Sequence, residues 1–518
     1  MRYTGCVLLL VSEALAGAGT PQSTGFTDVT AASGVEAVVA AHYRNVPRWW
    51  LSGMTLVDLD GDGHLDLHLA GHGSPAAVAF NDGRGTFTYV DPKLALARGV
   101  RHDNDVPYPG GEIRLPYDFD EDGRLDLLCS WHDGGGVMYL NACARDATGP
   151  TANFHRSRLL DVFCRGCGVF DVDRDGQADF LSDDGREIAV RFGAGGGVFG
   201  KRTGRIPGGF DQSGFIPADV NGDGHIDLLM HGRTGGNFYH ASPFERRILL
   251  NDGKGGFVDA TEKAGLDPRG GSIHGAGDVN GDGHPDLICV EGRDIAVHLG
   301  DGAGRFARLA GAATGLEKVR NKPNRPEWGG AVVVDLDNDA LADVLIVGRY
   351  FLYVLRGTGG GRLAYANDDW HLPNTAWSAV DEGLCFGDVN GDGRLDLVTC
   401  ARGPDGREKG VQLWRNDLPK RHWLRVRLLG AKGNRAAAGA KVHVYKAGTR
   451  ELLAYEQVCV WGRQSFHGYY AASRTERHFG LGECGKVDVG VEFCPSGRRV
   501  ELRGVDADRS VELREEGQ

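Results

Sequence analysis

Long hydrophobic runs are missing from this 518-residue chain: no stretch of 18 apolar residues occurs, so no segment reads as a membrane-spanning helix. Proline (19 residues) and aromatics (8%) are sparse while glycine reaches 81 residues, a balance that suits many short strands joined by tight turns. A basic excess is missing too. With 58 Lys and Arg against 70 Asp and Glu the net charge is −12, which gives no support for nucleic acid as a partner. No HExxH, GxSxG or P-loop motif is present, so the common catalytic signatures are absent. No Asn-x-Ser/Thr sequon offers an N-glycan acceptor. Leaving Cys6 aside, ten of the 11 cysteines remain, an even number compatible with disulfides in an exported protein. Cys164-Arg165-Gly166-Cys167 has no second CxxC beside it, which favours a local disulfide or two unpaired thiols over a zinc site.

What the chain does have is one loop, written seven times. Its form at residues 388–396 is D-V-N-G-D-G-R-L-D, with oxygen-bearing side chains at positions 1, 3, 5 and 9. Converging hard oxygens of this kind suit Ca²⁺, which accepts six to eight, better than Mg²⁺. The loop lacks the glutamate that closes an EF-hand and runs on into a strand-like segment, Leu395–Thr399. The predicted ligands, with the carbonyl of position 7 included, fall into seven sets. The first three are Asp58, Asp60, Asp62, His64 and Asp66; Asp118, Asp120, Asp122, Arg124 and Asp126; and Asp171, Asp173, Asp175, Gln177 and Asp179. The next two are Asp219, Asn221, Asp223, His225 and Asp227; and Asp278, Asn280, Asp282, His284 and Asp286. The last two are Asp335, Asp337, Asp339, Leu341 and Asp343; and Asp388, Asn390, Asp392, Arg394 and Asp396. About seven Ca²⁺ ions are expected. The sixth loop has Ala340 where the others have Gly; if that position is left-handed, Ala costs about 1–2 kcal/mol and makes this the weakest metal site.

Loop starts lie 60, 53, 48, 59, 57 and 53 residues apart, a repeat length proper to propellers and solenoids. Each repeat reads as an apolar strand, the Asp loop, a second and third strand, a Gly-rich turn such as Asn251-Asp252-Gly253, and a fourth strand. First strands are expected near residues 52, 112, 167, 215, 274, 329 and 382. The seventh repeat breaks off at Leu418-Pro419 without a fourth strand, and the missing piece stands at the other end. Gly25-Phe26-Thr27-Asp28-Val29-Thr30 matches Gly256-Phe257-Val258-Asp259-Ala260-Thr261, so the N-terminus is expected to close the ring. Charge divides the chain as well. Residues 1–417 carry 40 Lys and Arg against 58 Asp and Glu (40 − 58 = −18), whereas 418–518 carry 18 against 12 (18 − 12 = +6). From about His422 the repeat stops and alternating strands of a second, small β domain begin. At the start, Met1-Arg2-Tyr3, an apolar Cys6–Val11 and Ala16-Gly17-Ala18 resemble a short secretory signal, interrupted by Glu13; the alternative is an unprocessed start.

The loops with their flanking strands resemble FG-GAP/VCBS repeats, and the literal Phe386-Gly387 precedes the seventh. The tail resembles the ASPIC/UnbV domain through Asn434-Arg435, Gly439-Ala440-Lys441-Val442 and His478-Phe479-Gly480-Leu481-Gly482; Cys494 stands where that family's W-P-S-G has Trp. Together they resemble the cartilage acidic protein 1 family. The expected fold is all-β: a seven-bladed β-propeller over 20–418, with 20–35 closing blade seven, then a β domain over 420–515, after a signal peptide at 1–19. The resemblance implies a secreted or extracellular calcium-binding protein, non-catalytic, with calcium in a structural role. Its partner would be an extracellular protein or a glycan, as an adhesion or interaction module; a bacterial periplasmic setting is the alternative compartment. A ligand surface is expected on the face opposite the loops, where His42, Tyr43, Arg44, Trp49, Trp50, His102, Tyr108, His274, Arg320, Arg325, Trp328, Trp370, His371 and Trp377 fall. Packing of the tryptophans between blades is the competing reading, and a lectin or carbohydrate-active enzyme using that face is the alternative function.

Overall fold

A computed structural model describes residues 25–515 apart from short stretches, the longest being 91–112, 234–243, 317–327 and 374–383. The signal-like segment, Cys6 and Cys164 lie outside the described residues.

Strands make up nearly all of the ordered structure, and among the described residues the one helix is Val35–Asn45. Each Asp loop joins the first two strands of its own antiparallel sheet. In the first sheet Leu51–Val57, Asp66–Gly71, Ser74–Asn81 and Phe87–Val90 lie side by side in chain order. First strands of the seven sheets begin at Leu51, Ile113, Gly166, Phe215, Ser272, Trp328 and Leu384, within two residues of the positions read from sequence. Inner strands such as Asp66–Gly71 and Gly166–Phe170 are buried along their whole length, because each sheet is covered on both faces by its neighbours. That is why these strands read as continuous apolar runs and not as alternations. Between the third strand of the second sheet and the third sheet lie a hairpin, Ala144–Asp146 with Gly149–Thr151, and the second sheet's fourth strand, Phe154–Leu160.

A buried asparagine ties sheet to sheet. Asn141 Nδ2 donates to Leu59 O at 2.9 Å, Asn251 Nδ2 to Val172 O at 3.1 Å and Asn416 Nδ2 to Leu336 O at 2.9 Å, each reaching the loop of the preceding sheet. Asn81, on the first sheet, makes the same bond at 2.8 Å to Val389 on the seventh, so the two ends of the series meet. Strand Phe26–Asp28 is the fourth strand of the seventh sheet, pairing Phe26 with Asn416 and Asp28 with Trp414.

The tail builds two sheets of its own. One holds Glu476–Gly482, His422–Leu429 and Arg509–Arg514; the other Leu452–Gln457, Lys441–Lys446, Lys486–Glu492 and Arg499–Asp506. Leu424, Val426, Val442, Val444, Phe479, Val489 and Phe493 form the core between them. Alternating burial along Lys486–Glu492 shows one face of that strand in the core and one toward solvent. A hairpin then leaves this domain altogether. Strand Val460–Ser465 pairs antiparallel with the first strand of the third sheet, Gly166 opposite Arg463 and Val169 opposite Val460, and Gly468–Ala471 follows it. The hairpin lies against the first strands of five further sheets, the first, second, fourth, sixth and seventh. An inner strand of a ring presents unpaired N–H and C=O groups to the axis, and an added strand satisfies them. The tail therefore reaches into the middle of the repeat domain, an arrangement its sequence texture does not announce.

Candidate metal loops and the domain that covers them

All seven loops share one bonding scheme. The position-6 N–H donates to the position-1 Oδ2 at 2.6–3.0 Å in every loop. The position-7 N–H, from His64, Arg124, Gln177, His225, His284, Leu341 and Arg394, donates to the position-5 Oδ1 at 2.8–3.0 Å. These bonds demand a left-handed turn at position 6, where the six glycines take φ of 85–92° and Ala340 takes 65°. The Ala340→Gly variant is accordingly expected to gain about 1 kcal/mol of stability in chemical unfolding; unchanged stability would show that loop six tolerates the turn without cost.

Position 9 does a further job beside the one its place in the motif suggests. Its Oδ2 accepts the position-2 N–H at 2.7–3.1 Å. Its Oδ1 accepts a backbone N–H at the end of the third strand at 2.7–2.9 Å, from Asn81, Asn141, Gly193, Asn251, Gly300, Gly357 and Asn416. Asp66, Asp126, Asp179, Asp227, Asp286, Asp343 and Asp396 are at most 1% exposed. Each is a clamp between the loop and the third strand, whatever else it binds. Burial pushes Asp66 and Asp227 up to about 8 and Asp126, Asp179 and Asp286 up to about 7; Asp343 and Asp396 lie well above the carboxylate range for the same reason. At position 1, burial holds Asp118 and Asp171 at about 6 and raises Asp58, Asp278, Asp335 and Asp388.

Several loops fit a hard cation. Carboxylate oxygens of Asp58, Asp60 and Asp62, of Asp118, Asp120 and Asp122, of Asp171, Asp173 and Asp179, and of Asp335, Asp337 and Asp339 come within 4.8 Å of one another. Asp118 Oδ1 and Asp337 Oδ1 are buried acceptors with no hydrogen-bond partner, as expected of oxygens reserved for an ion. Loops four, five and seven carry Asn at position 3, whose Nδ2 donates to the position-5 carboxylate (Asn221 to Asp223, 2.9 Å; Asn280 to Asp282, 2.8 Å; Asn390 to Asp392, 3.2 Å). Asp175 keeps its place in loop three through the Gln177 N–H.

Comparison with known families agrees with this geometry. Models of the FG-GAP-like repeat match residues 171–230, 278–346 and 335–399, and one of ASPIC and UnbV matches 430–518. The chain carries FG-GAP-like repeats and a C-terminal ASPIC/UnbV domain. No curated protein matches it. Solved structures that resemble it include an Agrocybe aegerita lectin that recognises non-reducing terminal N-acetylglucosamine, at 20% identity over 61% of this chain and 79% of that one, TM-score 0.41. Another is BBS1N in complex with ARL6DN, at 12% identity over 72% and 95%, TM-score 0.40.

The ASPIC/UnbV domain sits on the loop face of the FG-GAP repeats. Lys441 Nζ lies 2.6 Å from Asp219 Oδ2, Arg425 pairs with Asp388, and Arg421 Nη1 lies 3.0 Å from Asp337 Oδ2. Gly433 N–H donates to Glu121 at 3.1 Å, and Ala178 N–H donates to Gly433 O at 2.9 Å. His478 bonds Asn338 at 2.8 Å, and a Cβ on Gly480 would collide with the Asp335 carboxylate. The +6 tail and the −18 repeats are thus complementary halves of one intramolecular contact. The charge asymmetry was the signal for it.

Several residues expected to form a ligand surface on the opposite face are spent on packing. His42 lies in the helix, fully buried, bonded to Tyr89 and Pro75 O and set edge-on to Trp49. Tyr43 also meets Trp49 edge-on, while Arg44 is exposed. Trp49, Trp370 and His274 are buried, the last bonded to Ser272 at 2.7 Å. His371 is exposed, and Trp328 opens the sixth sheet's first strand. Trp50, His102, Tyr108, Arg320, Arg325 and Trp377 lie outside the described residues. Packing wins for Trp49 and Trp370, because indole area buried between sheets stabilises by more than a solvated rim position.

Proposed function

We propose that this is a calcium-binding, non-catalytic interaction protein of the extracellular space, with about seven ions bracing its loops. The observation that carries the reading is the shared loop scheme, in which N–H donors fix the carboxylates while Asp118 Oδ1 and Asp337 Oδ1 are left without partners. An ion in each loop would offset the cost of burying charged carboxylates, and so fix the loops on which the ASPIC/UnbV domain rests. Loop affinities of about 10⁻⁴–10⁻³ M suit a compartment rich in calcium. All 35 loop positions named from sequence belong to this reading. Calorimetric titration of the ion-stripped protein is expected to give a stoichiometry near seven; two or fewer sites would overturn it. A glycan array run with and without calcium is expected to show no calcium-dependent hit, and a reproducible one would replace the protein-interaction reading with a lectin.

A further inference from the structure

The seven loops share one bonding scheme but differ in what surrounds them. In loop four the Asp219 side chain is fully buried, and its Oδ2 lies 2.6 Å from Lys441 Nζ of the tail. That contact has a built seat, because Gln457, the cross-strand neighbour of Lys441, accepts the Asp219 N–H at 2.8 Å. In loop seven Arg425 pairs with Asp388 Oδ2 and lies 4.7 Å above the Trp423 ring. A Cβ on Gly393 of that loop would strike the same indole, so the tail is pressed close against it. In loop six Asp337 Oδ2 takes Arg421 Nη1 at 3.0 Å and Arg356 Nε at 3.1 Å, while Asp337 Oδ1 keeps no partner. Among the described residues, no Lys or Arg forms an ion pair with the carboxylates of loops three and five.

We propose that the tail sorts the loops into two classes of calcium site, its cations making loops four, six and seven weaker than loops three and five. The proposal rests on the calcium reading above and concerns how those sites are regulated. A fixed positive charge on one oxygen of a carboxylate repels a divalent ion held by the other, and burial limits the screening of that repulsion. The same charge compensates Asp219 and Asp388 before any ion arrives, so an ion gains less by entering. Coupling of this kind is mutual. An ion in loop four weakens the hold of Lys441 on Asp219 by the factor by which Lys441 weakens the ion. The tail's seat on loops four, six and seven is therefore sensitive to calcium. Its contact with loop three is made by backbone groups, Ala178 N–H to Gly433 O, and carries no such charge.

The test is calorimetric titration of the ion-stripped full chain with calcium. Binding is expected in at least two classes whose affinities differ by about tenfold or more. Lys441→Met and Arg425→Met are each expected to move one ion from the weaker class to the tighter, with the total unchanged. Lys441→Arg keeps the charge and is expected to leave the classes as they are. Lys486→Met removes an exposed tail cation that pairs with Asp506 at 2.7 Å, so it controls for net charge and is expected to change neither class. In chemical unfolding, Lys441→Met is expected to lose more stability without calcium than in saturating calcium. The two methionine variants are read separately, so one that fails to fold leaves the other to decide. A single class in the unaltered protein, or unchanged affinities in a folded methionine variant, would overturn the proposal. So would a stability loss that is the same with and without calcium. About seven ions in one class would leave the calcium reading standing and remove only this proposal, whereas no bound ions would remove both.

Discussion

Stripped of calcium, the protein is expected to melt at progressively lower temperature as pH rises from about 5 to 8, the reverse of the usual acid denaturation. The cause is the set of position-9 clamps, buried aspartates that burial holds at about 7 or about 8 against an ordinary 3.8. A carboxyl whose folded value is raised contributes stability that is complete below its unfolded value and is lost as pH rises through the folded one. For one clamp, ionisation against a shift of about three units costs on the order of 4 kcal/mol, a sizeable part of the about 5–15 kcal/mol that holds a typical domain together. A proton or a bound cation at these loops would relieve that cost at neutral pH. Calcium bound as proposed would remove the penalty, and its addition at pH 6–7 is expected to release protons and flatten the pH profile. Calorimetric scans across pH, with and without the ion, check this. An ion-stripped protein whose melting temperature climbs steadily between pH 5 and 8 would sink the argument.

Local regularities were legible in the sequence and long-range ones were not. Seven loops could be read because each is a contiguous nine-residue pattern whose glycines and carboxylates have fixed offsets. The first residue of Asn81-Asp82-Gly83 could be read as part of a turn, but its bond to Val389 spans the ring and leaves no mark on neighbouring residues. Position 9 was assigned to the ion alone; nothing in the motif shows that both of its oxygens are already engaged by backbone N–H groups. The helix carries a readable signal: Val35, Val38, Val39 and His42 are its buried residues, at spacings of three, four and seven. Expectation placed His42 and Tyr43 on a connection, which made a core histidine look like a ligand residue. Docking of the tail had a compositional signal, its opposite charge, but the choice of Lys441 for Asp219 and Arg425 for Asp388 depends on the relative placement of two domains. Insertion of Val460–Ser465 beside Gly166–Phe170 had no signal at all, since any strand with suitable side chains can be added to a free edge.

Closure at the N-terminus supplies the other large effect, because there a few residues near one end complete a sheet whose other strands come from the end of the repeat series. The bonds of this segment repeat those of an internal fourth strand. Thr30 Oγ1 donates to Asp28 at 2.6 Å and accepts the Leu413 N–H at 3.0 Å; Thr261 Oγ1 donates to Asp259 at 2.6 Å and accepts the Ile248 N–H at 3.0 Å. Val29 N–H donates to Leu413 O as Ala260 N–H does to Ile248 O, both at 2.9 Å. Phe26 is 3% exposed, near Trp370, and its N–H donates to Trp370 O at 2.8 Å, linking the seventh sheet to the segment that follows the sixth. Thr27 Oγ1 donates to Asp417 at 2.7 Å, and the helix that follows packs on strand Lys409–Asn416. Truncating Phe26 to Ala is expected to cost about 3–5 kcal/mol in chemical unfolding. Deleting residues 20–32 is expected to cost more, because it exposes the edge of Lys409–Asn416 and takes away the support of the helix, so that both ends of the series lose their joint. Opening there would propagate through the Asn81–Val389 bond into the first sheet, and proteolysis of the truncated protein is expected to begin in the first and seventh sheets before the fourth. A truncated protein that unfolds at the same denaturant concentration as the full chain would show that the series holds together without its N-terminal strand.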